Sequence, residues 1–200
     1  ITVPPCIPFK FIDLFAGTTL FKYEAHGSND LGEVKDDMKP GISAGLRLVK
    51  QNDGFYTNCW EFLFSTQNFD QSYIDNQSYQ IYQISWIPTI RIPLWTYISS
   101  LPDYTSISIG YAFGLGISNV DYKKSDGKED NSASLGICSS AVLGFRIGLS
   151  ESVSIITDVR YSPFVFNRYI FRKQEIDDEN RWIRDGLYGP SIYLGISLAP

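Results

Sequence analysis

Large apolar residues alternate with small or polar residues along much of the chain. In the segment 42–48 the apolar residues occupy every second position, with Ser43, Gly45 and Arg47 between them. Successive side chains of a β-strand point to opposite faces, so this pattern predicts a strand with one apolar and one polar face. The segment 105–118 repeats the pattern, with Ile, Tyr, Phe and Leu opposite Ser, Gly and Ala. An apolar face toward lipid and a small-residue face toward a narrow lumen would account for both segments.

Eight segments carry this alternation, and each is long enough to form a strand. Two prolines, Pro88 and Pro93, fall within the fourth segment. We expect a bulge there, because proline cannot donate a hydrogen bond to a β-ladder. An even number of antiparallel strands can close into a barrel. The predicted strands cover residues 10–23, 40–50, 55–67, 79–98, 104–118, 134–149, 152–166 and 187–198.

The connections between these strands are alternately long and short. The segment 24–39 is long and polar, whereas 51–54 is a short Gln-Asn-Asp-Gly stretch of the kind that forms tight turns. Bacterial outer-membrane barrels combine short periplasmic turns with long extracellular loops. The other long connections cover 68–78, 119–133 and 167–186, and the other short ones cover 99–103 and 150–151.

Aromatic residues near the predicted strand ends are a second indication of a membrane barrel. Such barrels carry aromatic girdles at both membrane interfaces, whereas an aromatic core of a soluble domain is the alternative. We therefore predict an all-β fold, an eight-stranded antiparallel transmembrane β-barrel of the bacterial outer membrane. Residues 1–200 would form this single domain, with 1–9 as a periplasmic N-terminal segment. The predicted girdle residues are Tyr23, Tyr56, Trp60, Tyr82, Trp86, Tyr97, Tyr104, Tyr161, Tyr169 and Tyr188.

Composition excludes some classes of function. The chain has 17 Lys and Arg against 22 Asp and Glu, a formal charge of −5, so we expect no nucleic-acid partner. No apolar run reaches the roughly 18 residues that a membrane-spanning helix needs. The mean hydropathy of −0.11 is compatible with a barrel, because only one face of each strand meets lipid. The cysteine spacing does not suggest a zinc site, and we expect no cofactor or metal.

Several short motifs resemble a known family. The segment QISWIPTIRIPLW (Gln83–Trp95) resembles the strand with an "IPL" motif in the porin-like outer-membrane β-barrel family common in Bacteroidetes. The stretches 41–46, 61–65 and 144–150 are similar to that family's early glycine strand, its third strand and its penultimate hairpin. The resemblance implies a small barrel used for envelope integrity, adhesion or an accessory role in a larger complex.

Charged residues also occupy positions with inward parity, that is, the alternate strand positions whose side chains would point into the barrel. Buried charges are costly unless they are paired, so both signs together predict a salt-bridge network that fills the lumen. A solute channel is the alternative, although eight strands leave an interior just wide enough for side chains. The predicted lumen residues are Asp13, Arg47, Glu61, Arg91, Arg146, Asp158 and Arg160.

The segment His26-Gly27-Ser28-Asn29 resembles the H-x-S-N signature of outer-membrane lipid A deacylases. In that family the His and Ser act as base and nucleophile, which makes His26 and Ser28 weak catalytic candidates. There, however, the motif lies later in the barrel, while here it falls in the first long connection. A polar loop rich in turn-forming residues is the alternative.

The three cysteines and the last long connection supply further candidates. Cys6 precedes the first strand on the expected periplasmic side, which is oxidising, so it could form a disulfide with a partner. Cys59 and Cys138 both have inward parity and could be bonded across the lumen or be two buried thiols. Arginine and tryptophan are favoured at binding hot spots. The loop candidates for recognition are Arg168, Arg181, Trp182 and Arg184.

These observations predict a non-enzymatic integral barrel with a plugged polar lumen. It would act as a structural, adhesive or accessory subunit of an envelope complex through its loops or N-terminus. The expected partners are membrane lipid, lipopolysaccharide and other outer-membrane or periplasmic proteins. The alternatives are a lipid A-modifying enzyme that uses His26 and Ser28, and a soluble lipocalin-like carrier with an apolar interior.

Overall fold

The computed structural model describes residues 10–27, 33–51, 55–69, 76–103, 105–123, 129–164, 168–172 and 181–199. In these ranges the alternating segments form strands, as the period-two pattern predicts. The strands are β1 (Phe11–Thr19), β2 (Lys22–Gly27), β3 (Glu33–Asp37), β4 (Gly41–Gln51), β5 (Tyr56–Asn68), β6 (Asn76–Pro93), β7 (Ser106–Lys123), β8 (Glu129–Gly148), β9 (Val153–Phe164), β10 (Arg168–Arg172) and β11 (Arg181–Leu198).

Eight of these strands close into a barrel. The order around it is β1, β4, β5, β6, β7, β8, β9 and β11, and β11 returns to β1 with pairs from Ile12–Leu198 to Thr19–Ser191. Neighbouring strands are antiparallel throughout this circuit. Closure leaves no open sheet edge along these strands. The predicted all-β, eight-stranded antiparallel barrel is confirmed.

The long connections carry more strand than the sequence predicted. Much of segment 24–39 is a hairpin of β2 and β3, with pairs from Lys22–Asp37 to His26–Glu33. β7 and β8 likewise remain paired as far as Lys123–Glu129, inside the predicted loop 119–133. Strand pairing continues here after the apolar alternation has ended, which is why the sequence pattern did not show it. We call this end of the barrel the crown: β2, β3, β10 and residues 118–123, 129–134 and 181–188.

The opposite end, the base, contains the start of β1, Phe55 and the segments 94–103 and 149–152. The predicted strand 79–98 was too long, because β6 ends at Pro93 and a 3-10 helix follows at Leu94–Thr96. The connection is therefore longer than the predicted turn 99–103, and the Leu94 amide closes it by donating to the Thr105 carbonyl at 2.9 Å. Within the described ranges no helix is long and apolar enough to cross a membrane.

The bulge expected at Pro88 and Pro93 was wrong. The β6–β7 pairs Trp86–Phe113 and Thr89–Gly110 belong to one register, so no residue is inserted between them. Residues 87 and 88 instead have no paired residue on β7. On the other side of β6 the pairing with β5 is continuous and includes Asn58–Pro88. Proline's missing N–H is thus accommodated by an interrupted ladder. Pro93 ends its strand.

The outer surface carries an apolar belt. On β7 the outward residues from Ile107 to Ile117 are apolar or aromatic, and the next outward positions are Asn119 and Asp121. Eleven residues of a tilted strand rise about 25 Å, the height of the lipid-facing band of membrane barrels. The crown therefore projects beyond the belt. Exposed belt residues include Leu14, Ile42, Trp60, Phe62, Tyr82, Trp86, Ile90, Ile109, Phe113, Leu115, Leu135, Ile147, Ile155, Tyr161, Ile192 and Leu194.

The interior is layered. At the base, Phe11 packs with Val49 and four other small or apolar residues. Phe15 packs with Leu63, Ile156 and Tyr193 further up the lumen. A third cluster lies where the crown joins the barrel, formed by Phe21, Tyr23, Met38, Phe69, Tyr79, Ile81 and Leu187.

Tyr23 was wrongly predicted to be a girdle residue. Its side chain is only 4% exposed, and its ring makes an edge contact with Phe69 at 5.1 Å between centroids. Tyr56, Trp60, Tyr82, Trp86, Tyr97 and Tyr161 do lie on the exposed surface. The break between β1 and β2 at Leu20 and Phe21 separates Tyr23 from the regular alternation of the first strand.

Candidate functional site

A row of three charged residues crosses the first strands of the barrel. Asp13 on β1 lies opposite Arg47 on β4, and Arg47 lies opposite Glu61 on β5. All three have inward parity, so the register brings one guanidinium between two carboxylates. Asp13 and Glu61 have no solvent exposure.

Arg47 is the hub of a larger network. Its Nε donates to Glu61 Oε2 at 3.0 Å, and its Nη1 lies 3.5 Å from Asp13 Oδ2. Its Nη2 makes a close ion pair with Asp158 on β9, on the other side of the lumen. One side chain therefore connects β4 to β1, β5 and β9.

Two further arginines complete the network. Arg160 on β9 forms a bidentate pair with Glu61, at 2.6 and 2.7 Å, and its Nη2 donates to Asp158 at 2.9 Å. Arg146 on β8 donates to the two carboxylate oxygens of Asp13 at 3.0 and 3.3 Å. Arg146 also donates to the Ser197 hydroxyl. Three carboxylates thus meet three guanidiniums, and their formal charges cancel.

Aromatic rings support the guanidiniums. Phe15 lies 5.0 Å from the Arg47 Cζ and 5.6 Å from the Arg160 Cζ, measured to the ring centroid. Tyr193 lies 4.6 Å from the Arg160 Cζ. Such cation–π contacts are strengthened where water is excluded. The sequence prediction missed these rings, although their inward parity on β1 and β11 could have identified them.

Phe15 needs space that Gly45 provides. A Cβ at Gly45 would lie 2.6 Å from the Phe15 Cζ and 2.8 Å from the Phe62 carbonyl oxygen, so a side chain there would force its neighbours to shift. The glycine therefore allows the ring to lie across the lumen beneath the arginines. The alternation of apolar and polar residues in the sequence did not predict this role of Gly45.

Arg91 lies apart from the other predicted lumen charges, toward the base. Its Nε donates to Ser106 Oγ at 2.9 Å, and its Cζ lies 5.4 Å from the Phe11 ring and 5.9 Å from the Trp95 ring. The structure thus brings six of the seven predicted residues together and places the seventh at the base.

A small cavity separates Arg91 from the network. Its volume is about 40 Å³, and its lining includes Arg91, Arg146, Asp13 and Asp158. A water molecule requires at least about 10–15 Å³ of such volume. The cavity therefore has room for a few waters or a small polar group.

Cys59 and Cys138 are buried free thiols. The Sγ of Cys138 lies 3.5 Å from Ser85 Oγ, and Cys59 packs in the base cluster. Cys59 and Cys138 are therefore two buried thiols and are not bonded across the lumen. Cys6 lies outside the described residues.

The catalytic and recognition candidates lie in the crown or outside the described residues. The backbone of His26 is in β2, paired with Arg184 on β11 and with Glu33 on β3. Ser28 lies outside the described residues, so no His–Ser geometry can be given. Arg168, Arg181, Trp182 and Arg184 lie in the β10–β11 ladder, where Phe171 is opposite Trp182 and Arg172 is opposite Arg181. Among the described residues there is no group of His, Cys, Asp and Glu suited to a metal ion.

The distribution of side chains decides the class of barrel. The outside carries the apolar belt, while ion-paired charges lie inside. A soluble lipocalin-like carrier requires the reverse arrangement, with an apolar ligand cavity and a polar exterior. The molecule is a transmembrane β-barrel of the bacterial outer-membrane type.

No protein-family model matches the chain, and a sequence search of curated proteins finds no match. Solved outer-membrane barrels are similar in structure. Neisserial surface protein A has 14% identity and a TM-score of 0.45, over 94% of this chain and 97% of that one. Ail, the attachment invasion locus protein of Yersinia pestis, has 13% identity and a TM-score of 0.46, over 92% of this chain and 97% of that one. The translocator domain of the autotransporter NalP from Neisseria meningitidis has 9% identity and a TM-score of 0.35, over 94% and 88%.

Proposed function

We propose that this protein is a non-enzymatic outer-membrane barrel with a closed lumen. It acts as a structural, adhesive or accessory subunit of the cell envelope through its crown or its N-terminal segment. The observation that supports the proposal is the ion-paired position of Arg47, which joins β4 to its neighbours β1 and β5 and, across the lumen, to β9.

Closure of the lumen is supported by the interior layers. Apolar clusters lie on both sides of the charge network, because Phe11 and Phe15 flank Asp13 on β1. An open channel would require these clusters and the network to separate. Breaking buried ion pairs leaves uncompensated charge, which costs about 3–5 kcal/mol for each partner removed. A pore is therefore unfavourable in this conformation.

The crown is the proposed interaction surface. Paired strands carry its connections beyond the apolar belt, and recognition sites are often loops held by a rigid scaffold. The β10–β11 hairpin contains Arg168, Arg181, Trp182 and Arg184. Arginine suits the bidentate recognition of phosphate. We propose the phosphates of lipopolysaccharide as partners of this hairpin.

We also propose that this protein belongs to the porin-like family of Bacteroidetes. The positions of the motifs support this membership. The segment 61–65 lies in β5, and the segment Gln83–Trp95 contains the end of β6 at Pro93. The proposed envelope role follows from that resemblance. A disulfide between Cys6 and a partner protein is likewise a proposal.

Lipopolysaccharide bound to the purified barrel tests the role of the crown. We would purify the wild type and the triple variant Arg168→Gln/Arg181→Gln/Arg184→Gln from outer membranes in mild detergent and measure lipid A phosphate per barrel. The proposal predicts less phosphate on the triple variant and an unchanged amount on Lys50→Gln, which alters an outward cation at the base. Equal amounts on wild type and triple variant would contradict crown recognition.

A further inference from the structure

A groove crosses the apolar belt from β4 to β8. One of its walls is a row of outward residues on these strands, each paired with the next across the ladder. The other wall belongs to the adjacent outward row on the base side and includes Phe62, Ile84 and Leu115. The first wall consists of Ala44, Phe64, Tyr82, Ile117 and Leu135.

The floor of the groove is the backbone of the sheet. Leu63, Gln83 and Gly116 line it and are paired in one row between the two walls. Their side chains have inward parity, so the outward side chains of the neighbouring rows rise on either side of them. In the wall nearer the crown, the ring centroids of Phe64 and Tyr82 lie 4.9 Å apart. These two rings form a broad apolar surface against which methylene groups can pack.

The dimensions of the groove suit one extended hydrocarbon chain. Its volume is about 520 Å³, within the range of about 300–1,000 Å³ that small-ligand sites occupy. Neighbouring strands lie about 4.8 Å apart, so the four steps from β4 to β8 span about 19 Å. An extended chain advances about 1.2 Å per bond, so this length corresponds to about 15 bonds. The groove therefore has the length of a common acyl chain.

The apolar wall is followed toward the crown by polar residues. In the next outward row Thr66 pairs with Gln80, and Gln80 pairs with Asn119. One row further, the Ser78 hydroxyl donates to Asp121 Oδ2 at 2.6 Å. A chain in the groove therefore has hydroxyl and amide groups directly above it. This succession matches an acyl chain and the polar linkage to its headgroup.

The position of the groove indicates which leaflet supplies the chain. Bacterial outer-membrane barrels have their longer connections on the extracellular side, so the crown end of the belt faces the outer leaflet. Lipopolysaccharide forms that leaflet, and the acyl chains of its lipid A are joined through amide and ester groups. The side-chain amides of Gln80 and Asn119 can both donate and accept hydrogen bonds, as an amide linkage requires.

Packing and hydrogen bonding would retain such a chain. The surrounding lipid tails are as apolar as the groove, so no hydrophobic gain favours entry. Contact with two walls and a floor provides more dispersion attraction than contact with a flat surface. The polar row adds hydrogen bonds, which distinguish one lipid from another.

We propose that the groove binds one acyl chain of lipid A, with the linkage to the sugar at Gln80 and Asn119. A chain bound there fixes one lipopolysaccharide molecule to the barrel wall. The site is separate from the phosphate recognition proposed for the β10–β11 hairpin, because its lining residues lie on β4 to β8.

Native mass spectrometry of the refolded barrel in mild detergent tests this proposal. The probe is lipid A from which the phosphates have been removed, mixed with an equal amount of phosphatidylethanolamine. The wild type should retain one dephosphorylated lipid A. Ala44→Trp should retain at least about threefold less, because the indole occupies one end of the groove and removes the contacts of several methylene groups.

Ala141→Trp is the matched control. Ala141 is also an exposed alanine, on β8 between Tyr111 and Tyr161, so the same substitution there should leave retention at the wild-type level. Both substitutions add an apolar side chain to the lipid-facing belt and should preserve the fold. Heat-modifiable migration on gels verifies that each variant is folded.

The double variant Gln80→Leu/Asn119→Leu tests the polar row. It leaves both walls of the groove in place but removes the side-chain amides above them. The preference for lipid A over phosphatidylethanolamine should therefore disappear. An unchanged preference would contradict the assigned position of the linkage.

Three results would overturn the proposal as a whole. These are the absence of retained lipid A on the wild type, equal retention by the wild type and Ala44→Trp, and a wild-type preference for phosphatidylethanolamine. An equal loss in the two tryptophan variants would likewise exclude a specific groove. The probe carries no phosphate, so its result is independent of the assay of the hairpin arginines.

Discussion

Arg160 and Glu61 form a bidentate ion pair between β9 and β5, with N–O distances of 2.6 and 2.7 Å. The two residues are 99 positions apart in the chain. Their strands are not neighbours in the barrel, so the pair crosses the lumen. It is the contact through which the interior most directly joins opposite walls.

Removing one partner of this pair should destabilise the barrel. Arg160→Met leaves Glu61 without its bidentate partner, and we expect the free energy of unfolding to fall by about 3–5 kcal/mol. Urea unfolding in lipid vesicles, followed by circular dichroism, measures the difference. Lys50→Met, at an exposed position, should change the free energy by no more than about 0.5 kcal/mol.

The double variant Arg160→Met/Glu61→Met should be less destabilised than Arg160→Met. It removes one charge of each sign and leaves Arg47 and Arg146 to balance Asp13 and Asp158. A double variant at least as unstable as the single one would mean that charge balance is not what holds the interior.

Lipid exposure of the belt predicts a large effect of a charge on β7. Phe113 is 54% exposed near the middle of the belt, so Phe113→Arg should cost about 2–4 kcal/mol of unfolding free energy in vesicles. Asn119→Arg, an outward substitution on the same strand above the belt, should cost about 1 kcal/mol or less. Equal costs for the two variants would place the lipid boundary elsewhere.

The fit of Phe15 over Gly45 predicts an overpacking defect. Gly45→Val should lower the free energy of unfolding by about 1–3 kcal/mol, because the new side chain meets the Phe15 ring. Ala44→Val, on the outward face one residue away, is the matched control and should be nearly neutral. Phe15→Leu in the Gly45→Val background should recover part of the loss if the ring is the obstacle.

The proposed non-enzymatic role predicts that His26 is dispensable for lipid A structure. Mass spectra of lipid A from cells that carry wild-type protein, His26→Ala or no protein should be identical. A change in acyl chains that requires both the protein and His26 would restore the deacylase alternative.

Alternation was sufficient to predict the barrel, because lipid and lumen impose opposite preferences on successive residues. It placed Asp13, Arg47 and Glu61 on the inner face, and the ladder then brought them into one row. It did not predict the strands of the crown, because strand pairing continues there after the apolar alternation has ended. Nor did it separate Arg91 from the network, because parity gives the face of a strand and not the height along the lumen.

Local residue preferences misled the prediction in two places. Pro88 lies in β6 without a bulge at its own position, because the ladder to β7 can omit the pairs that proline interrupts. Tyr23 is of a residue type common at membrane interfaces, but it is buried in the cluster where the crown joins the barrel. Both outcomes depend on strands distant in sequence, which single-strand patterns do not contain.

Ion conductance tests the central claim of a closed transmembrane barrel most directly. The refolded wild-type protein is inserted into planar lipid bilayers, and insertion is verified by heat-modifiable migration of the recovered protein on gels. If ion-paired side chains and apolar clusters close the lumen as we propose, the barrel should insert without stable conductance steps. Stable, voltage-independent steps from the inserted wild-type barrel would contradict it.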